Sequence, residues 1–468
     1  MGLLLGDAVA PAATGVAAAP PRGWNSYDSY TWKVSERAFL DNCMAMASRL
    51  KKVGYDFCVV DYLWFQDLDA VPGAAKNDLV LRDPITRMHI DEYGRLQPAP
   101  DRWPSAWAAD GTSLGFKPIA DKVHAMGMKF GIHIMRGIST AAVEAKTPVL
   151  GGGGATADAI GVPSALCPWW KGVMSVNTSH PAGQAFFDSI TAQYSAWGVD
   201  FLKNDCVFGN QFAPAQIRAQ SAAIQTSGRQ IIYSLSPGGT DIGASGVEAQ
   251  RAREIAPLVN MYRVTSDDWD NWGAVDSHFA VAHSFASADL IGASGLDGSS
   301  WPDLDMLPFG WVTSPGSGRL PYKNSSLTRD EQRAQMSLWA IVKSPLMFGG
   351  DATRLDAWTH ELLSNRDVLE MNAHSRHNRQ VHLDNASAVW TARNPVSETV
   401  YAAIFNRRNE TAELMTSCVS LGLDCTATSY AAVDLWGAPT RPRVSHRHMI
   451  KVTVAAHGVA MLGIDENP

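Results

Sequence analysis

Residues 202–209 read LKNDCVFG and residues 261–272 read MYRVTSDDWDNW; both stretches put ionisable groups where an apolar run stops. In the first, Lys203 and Asp205 stand two apart. Alternate residues of a strand share a face, so the ammonium and the carboxylate point the same way. A nearby cation favours the ionised form of a carboxyl group, which makes Asp205 a permanent anion, fit to be a nucleophile or one half of an ion pair. The structural alternative is a Lys-Asp pair that merely closes the strand. In the second stretch Asp267, Asp268 and Asp270 crowd beside aromatic residues, so at least one of them is expected to keep its proton. Here too a structural alternative stands, with Asp267 or Asp268 capping a helix that starts near Trp269. An anionic carboxylate facing a proton-bearing one is the pairing that cleaves a glycosidic bond.

Other ionisable groups stand at comparable places. Asp61 ends the run YDFCVVDY, His133 interrupts KFGIHIM, and Asp303 and Asp305 alternate through WPDLDML. A lone strand histidine is more often a satisfied core residue than a catalyst. Asp61, His133 and Asp205 together would offer metal ligands. However, the only HxH pair, His446 with His448, lies near the C-terminus, so neither a metal nor a cofactor is expected. The run GGGGA at 151–155 lacks the Gly-Lys-Ser/Thr that follows in a phosphate loop and reads as a bend.

A scaffold must carry these groups to one place. From Arg22 to about Met371, eight short apolar runs alternate with helical stretches: RGWNSY, YDFCVVDY, KFGIHIM, VDFLKND, QIIYSLS, NMYRVTSDD, WPDLDML and PLMFGGD. Eight strands with crossover helices describe an α/β fold, a (β/α)8 TIM barrel, whose reactive groups stand at the C-terminal ends of the strands. Phe39, Cys43, Ala47 and Leu50 predict a helix over 35–52, and Thr328 with Glu331 forms a capping box ahead of another. The connection after Asp61 holds RDPITRMHIDEYGRLQPAPDRWP, too long for a simple loop and expected to lie over the barrel mouth on the substrate side. Beyond residue 375 the runs SAVWTAR, TVYAAIFNRR, YAAVDLWG and MIKVTVAAHGVAMLGI alternate with period two, the pattern of a small antiparallel β-sandwich. The division expected is a leader without order over 1–19, a barrel over 20–372 and a β domain over 373–468.

With 39 Lys and Arg against 46 Asp and Glu, the net charge of -7 gives no basic footprint for nucleic acid or an anionic membrane. No apolar run reaches the roughly 18 residues that a spanning helix needs. Sixteen tryptophans are more than a core requires, and aromatic rings also suit the apolar faces of sugars. Six cysteines include no CxxC, which speaks against zinc and leaves pairing open, although Cys418 and Cys425 stand close enough to close a small loop. The N-terminal MGLLLGDAVAPAATGVAAAPPRG has no basic region, and Asp7 interrupts its apolar stretch, so it reads as an Ala/Pro leader rather than a signal peptide. Four glycosylation sequons, at Asn177, Asn324, Asn385 and Asn409, nonetheless point to a secreted protein.

Taken together, PPRGWNSYDSY, VVDYLWF, KFGIHIM, GVDFLKNDCVFG, NMYRVTSDDWDNW, SWPDLDMLPFGW and LWAIVKSPLMFGGD resemble glycoside hydrolase family 27, the α-galactosidase and melibiase family. They are especially similar to the plant branch that includes β-L-arabinopyranosidases. The resemblance runs from Pro20 to Asp351, and the ending VAAHGVAMLGI is similar to the family's C-terminal β domain. It implies a retaining mechanism with Asp205 as nucleophile and Asp267, four residues after Arg263, as acid/base. It also implies Tyr27 as an aromatic wall and Asp61, Lys203, Arg263 and Asp305 as contacts to sugar hydroxyls, with Arg263 pointing mainly at the sugar. His133 falls where the family's galactosidases place a tyrosine.

Three departures bear on the substrate and on cross-linking. Tyr62 stands where galactosidases have a second aspartate that holds the hydroxyls at the C4 and C6 end, which favours a pyranose without the hydroxymethyl arm, β-L-arabinopyranose. Ser236 stands where galactosidases have glutamate and α-N-acetylgalactosaminidases have serine, which leaves room beside C2. Leu63 replaces a cysteine and Cys206 sits one place early, so the family's disulfides are expected to be absent. The implied activity is that of a metal-free retaining exo-glycosidase acting on terminal α-D-galactopyranosyl or β-L-arabinopyranosyl residues of an oligosaccharide or glycoconjugate. An α-N-acetylgalactosaminidase and a silent sugar-binding protein are the alternatives.

Overall fold

The structure, a computed structural model, describes residues 15–67, 88–236, 246–315, 317, 319–425, 430–437, 443–444 and 449–465. Each of the eight apolar runs becomes a strand. These are β1 (Arg22–Asn25), β2 (Phe57–Val60), β3 (Lys129–Met135), β4 (Phe201–Asp205), β5 (Ile232–Leu235), β6 (Met261–Arg263), β7 (Gly298–Asp303) and β8 (Leu346–Phe348). They pair in parallel in the order β7-β6-β5-β4-β3-β2-β1-β8. The seam closes just past β7, where Leu307 N donates to Met347 O at 2.8 Å and Gly349 N donates to Leu307 O at 3.0 Å.

Strand alternation sorts the side chains. Phe57, Val59, Phe201, Ile232, Met261, Trp301 and Met347 pack together inside the barrel. Their neighbours Cys58, Val60, Leu202, Tyr233 and Tyr262 belong instead to the larger core between sheet and helices. Gly131 is required in the interior, because a Cβ there would lie 2.8 Å from Phe201 Cβ and 2.9 Å from Val59 Cγ2. Lys203 and Asp205 continue the Phe201 face, Arg263 that of Met261 and Asp303 that of Trp301. The barrel filling therefore turns from apolar to ionisable towards the strands' C-terminal ends.

The helical layer comprises α1 (Glu36–Arg49), α2 (Lys117–Ala125), α3 (Pro181–Trp197), α4 (Pro214–Thr226), α5 (Gly246–Ile255), α6 (Trp272–Ser287) and α7 (Arg329–Ile341). Helix α1, expected over 35–52, starts on Ser35, whose hydroxyl accepts from Ala38 N at 3.3 Å, and gives way to a tighter turn at Lys51–Val53. Helix α7 opens with the capping box: Glu331 N donates to Thr328 Oγ1 at 3.3 Å and Thr328 N to Glu331 Oε2 at 2.8 Å. Among the described residues no helix is long and apolar enough to cross a membrane.

One expectation changes. The end of the leader is ordered: Val16 N donates to Asp297 O and Ser299 N to Val16 O, both at 3.0 Å, and Trp301 Nε1 donates to Ala17 O at 2.9 Å. Residues 1–14 lie outside the described residues. In the described part of the excursion after β2, Gln97 Nε2 donates to Gln193 Oε1 at 2.9 Å and Gln193 Nε2 to Leu96 O at 3.1 Å, which fastens the segment to α3. Its residues 82–87 lie outside the described residues, and 88–104 contribute nothing to the cavity below.

After α8 (Ala357–Ser364) and α9 (Arg366–His374), the chain enters an antiparallel β domain. Strands β9 (Arg376–Leu383), β10 (Ser387–Arg393), β11 (Val400–Asn406), β12 (Ala412–Ser417), β13 (Ala431–Asp434), β14 (Arg443–Val444), β15 (Met449–Val454) and β16 (Val459–Asp465) form two sheets, ordered β9-β10-β11-β16-β13 and β12-β15-β14. A second core, including Val400, Ile404, Leu414, Ile450 and Leu462, fills the space between them. Arg407 pairs with Asp276 of α6 at 2.6 Å, and Trp272 stacks on His457 at 4.3 Å, which ties this domain to the barrel. Cys418 and Cys425 form the small disulfide loop. His446 and His448 lie outside the described residues.

Candidate active site

A cavity of about 240 Å³ opens at the C-terminal ends of the strands. Of the ten residues singled out in the sequence for a site, nine line it: Asp205, Asp267, Tyr27, Asp61, Tyr62, His133, Lys203, Arg263 and Asp305. Ser236 does not. It is 1% exposed and borders a separate void of about 20 Å³, although the parallel register Asn204↔Leu235 sets it level with Asp205.

The side built from β2 to β4 pairs each carboxylate with donors. Lys203 Nζ donates to Asp61 Oδ2 at 2.9 Å, Asn25 Nδ2 donates to the same oxygen at 2.8 Å, and Tyr62 N donates to Asp61 Oδ1 at 2.8 Å. Burial alone would raise the pKa of Asp61, but the Lys203 charge and these bonds hold it well below the ordinary carboxylate range. The same ion pair outweighs burial at Lys203 and keeps its ammonium protonated. Asp205 accepts from Cys206 N at 2.6 Å on Oδ1 and meets His133 Nε2 at 3.2 Å on Oδ2. Burial would raise Asp205 as well. The His133 bond and the charges of Lys203 and Arg263 prevail and lower it.

The side built from β6 and β7 is arranged differently. Arg263, 6% exposed, donates to Asp305 Oδ1 at 3.4 Å and to Asp267 Oδ1. The guanidinium is thus spent on two carboxylates, which corrects the expectation that it points mainly at a sugar: with burial so complete, its single charge and its N–H donors need protein partners. Asp267 is 48% exposed and reaches the open part of the cavity. Asp268 is the carboxyl in this stretch pushed to keep its proton, well above its ordinary value, by burial first and then by Asp305 and Asp28. Its Oδ2 accepts from Gln335 Nε2 at 2.5 Å, and its N donates to Asp305 Oδ2 at 2.8 Å. Burial also raises Asp305, and takes Asp303, with help from the Asp305 charge, up to about 7. Asp270 turns away to Lys323 Nζ at 2.7 Å and Ser326 N at 2.6 Å. The cap of α6 is Asn271, which accepts from Ala274 N at 2.9 Å, so neither Asp267 nor Asp268 is spent on capping.

The sequence left several walls unassigned. Asp28 lines the cavity because the chain turns helical at Tyr27–Tyr30 directly after β1, which breaks the alternation that would have faced it away. Burial first, then Asp305, pushes its pKa well up. Trp169 and Trp269 add aromatic surface: Trp169 lies 5.7 Å from Tyr62 and Trp269 lies 6.2 Å from Tyr27, between ring centroids. Trp169 sits two residues from Cys167, and Cys167 is bonded to Cys206, beside Asp205. This bridge corrects the expected absence of disulfides: Cys206 finds its partner 39 residues earlier in the chain. Among the described residues no three His, Cys, Asp or Glu side chains converge as a metal site.

Comparison with known proteins gives one consistent result. The profile of a family described as "Alpha galactosidase A" matches residues 172–374, and that of an "Alpha galactosidase C-terminal beta sandwich domain" matches 384–464. The α-galactosidase of Coffea arabica is 28% identical over 454 residues, which cover 96% of this chain and 94% of the relative. The crystal structure of a GH27 β-L-arabinopyranosidase from Geobacillus stearothermophilus is 34% identical, with 96% of each chain covered and a TM-score of 0.82. The structure of a putative α-N-acetylgalactosaminidase from Bacillus halodurans is 32% identical, with 97% of this chain and 100% of that one covered and a TM-score of 0.80.

Proposed function

The chain belongs to glycoside hydrolase family 27, the α-galactosidase and melibiase family, and from that premise we propose that it is a retaining exo-glycosidase acting on terminal β-L-arabinopyranosyl and α-D-galactopyranosyl residues. The observation that carries this reading is that Asp205 and Asp267 border one cavity from different strands, the first anionic and enclosed, the second open to solvent. Asp205 attacks the anomeric carbon as the glycosidic C–O bond breaks, and Asp267 gives its proton to the departing oxygen. Asp267 then takes a proton from water, the water oxygen bonds to the anomeric carbon, and the ester bond to Asp205 breaks. Two inversions restore the starting configuration. Arg263 stabilises the carboxylate that Asp267 becomes when its proton leaves. Lys203 and Asp61 hold hydroxyls of the ring.

The two sugars share ring stereochemistry and differ in the arm at C5, so one pocket can serve both. Tyr62, 7% exposed and packed 5.7 Å from both His133 and Trp169, supports a preference for the armless arabinopyranoside, since an aromatic ring gives a hydroxymethyl group no carboxylate to bind. The α-N-acetylgalactosaminidase alternative rested on Ser236, which lies outside the cavity walls. Hydrolysis of the p-nitrophenyl β-L-arabinopyranoside, α-D-galactopyranoside and N-acetyl-α-D-galactosaminide by wild type and by Asp205→Asn tests the reading. Turnover of the first two by wild type alone supports it. Equal rates for the two proteins remove Asp205 from the chemistry, and binding without turnover by either leaves a sugar-binding protein. We also propose a secreted protein, with the Cys167–Cys206 and Cys418–Cys425 bridges as support.

A further inference from the structure

We propose that His133 is a positioning residue for the attacking carboxylate, an inference that rests on the assignment of Asp205 made above. The carboxylate of Asp205 is gripped at both oxygens: Cys206 N donates to Oδ1 at 2.6 Å, and His133 Nε2 stands 3.2 Å from Oδ2. Two such bonds fix the rotation of the carboxylate about its last torsion, which sets the direction of its lone pairs toward the cavity. A histidine does this only with a proton on Nε2, because a carboxylate without its own proton can only accept. The surroundings dictate that tautomer. His133 is 1% exposed, and its Nδ1 is buried with no partner, so Nε2 is the nitrogen that has an acceptor.

The groups facing the ring come from both neighbouring strands. Asp61 and Tyr62 approach from the end of β2, the Tyr62 ring meeting the imidazole edge-on at 5.7 Å. Lys203 and Asp205 approach from β4, with Lys203 paired in register to His133. Enclosed by these groups and 1% exposed, the imidazole keeps Nε2 directed at Asp205 Oδ2.

His133→Gln keeps a donor at the reach of Nε2, and His133→Phe removes it. Their kcat and KM are measured separately at pH 7 on whichever p-nitrophenyl glycoside the wild type hydrolyses. The phenylalanine variant is expected to lose about 10- to 100-fold in kcat with little change in KM, and the glutamine variant to stay within about tenfold of wild type. An equal loss of kcat in both variants, or a loss confined to KM, overturns the role of His133 while leaving the reaction intact. Absence of hydrolysis by wild type on all three glycosides overturns the reaction itself. Should phenylalanine unfold the barrel, a folded glutamine variant that loses more than about 100-fold overturns the role, and one within about tenfold supports it.

Discussion

On the β2–β4 side of the cavity each carboxylate has donors of its own, whereas on the β6–β7 side Asp267, Asp268, Asp303 and Asp305 crowd around the single guanidinium of Arg263. Both sides are rich in aspartate, and of these carboxyls all but that of Asp267 are buried. The outcome differs because burial is outweighed by Lys203, Asn25, His133 and backbone amides on one side and left largely unopposed on the other. One side holds Asp61 and Asp205 as anions, and the other pushes Asp268, Asp303 and Asp305 toward their protonated forms. The contrast shows how a barrel built from one residue type supplies both states.

The contrast can be broken or sharpened by substitution. Asp205→Asn should lower kcat by about 10⁴-fold or more on every glycoside, whatever its leaving group. Asp267→Asn should cost about 10²- to 10⁴-fold on an alkyl glycoside and much less on a p-nitrophenyl glycoside, whose leaving oxygen needs little protonation. The same leaving-group dependence in both variants would erase the division. Stability should respond with opposite sign on the two sides. A carboxyl with a raised folded-state pKa favours folding fully only below its unfolded value and loses that contribution as pH rises through the folded value, here between 3.8 and about 7 for Asp303. Asp303→Asn should therefore stabilise the protein by up to about 4 kcal/mol at pH 8 and by little at pH 4, read from urea unfolding. Lys203→Met should destabilise by about 3 kcal/mol near neutral pH, since it leaves Asp61 charged and buried. A smaller effect is expected at the aromatic end, where Tyr62→Asp should shift the ratio of kcat/KM values about tenfold toward the α-galactoside. Least disturbing of all, thiol titration of the unreduced, denatured protein should count two free thiols, Cys43 and Cys58; six would remove the bridge beside Asp205.

Much of this was legible in the chain because strand alternation is a strict code. Lys203 and Asp205 had to share a face, and the apolar runs placed that face inside the barrel and at its mouth. The code fails where strands end. Asp305 takes φ 86° two residues past β7, and Asp28 follows β1 into a helical turn, so neither direction follows from period two. Which void a side chain borders is invisible as well: Ser236 has the right parity but borders the small void and not the cavity. Competition for a cation cannot be read either, which is why Arg263 was expected to serve the sugar when two aspartates hold it. The Cys167–Cys206 bridge and the Trp169 that it brings near depend on a chain path through the hairpin Gly161–Leu166 and Val173–Val176, which no local pattern specifies.

The division of labour can be read directly by trapping. The wild-type protein would be incubated with a 2-deoxy-2-fluoro glycosyl fluoride of the arabinopyranosyl or galactopyranosyl series, digested, and its labelled peptide sequenced by mass spectrometry. A single sugar ester on Asp205, absent from the Asp205→Asn variant, is the predicted result. Inactivation with the sugar on Asp267, on Asp61 or on no carboxylate would contradict it.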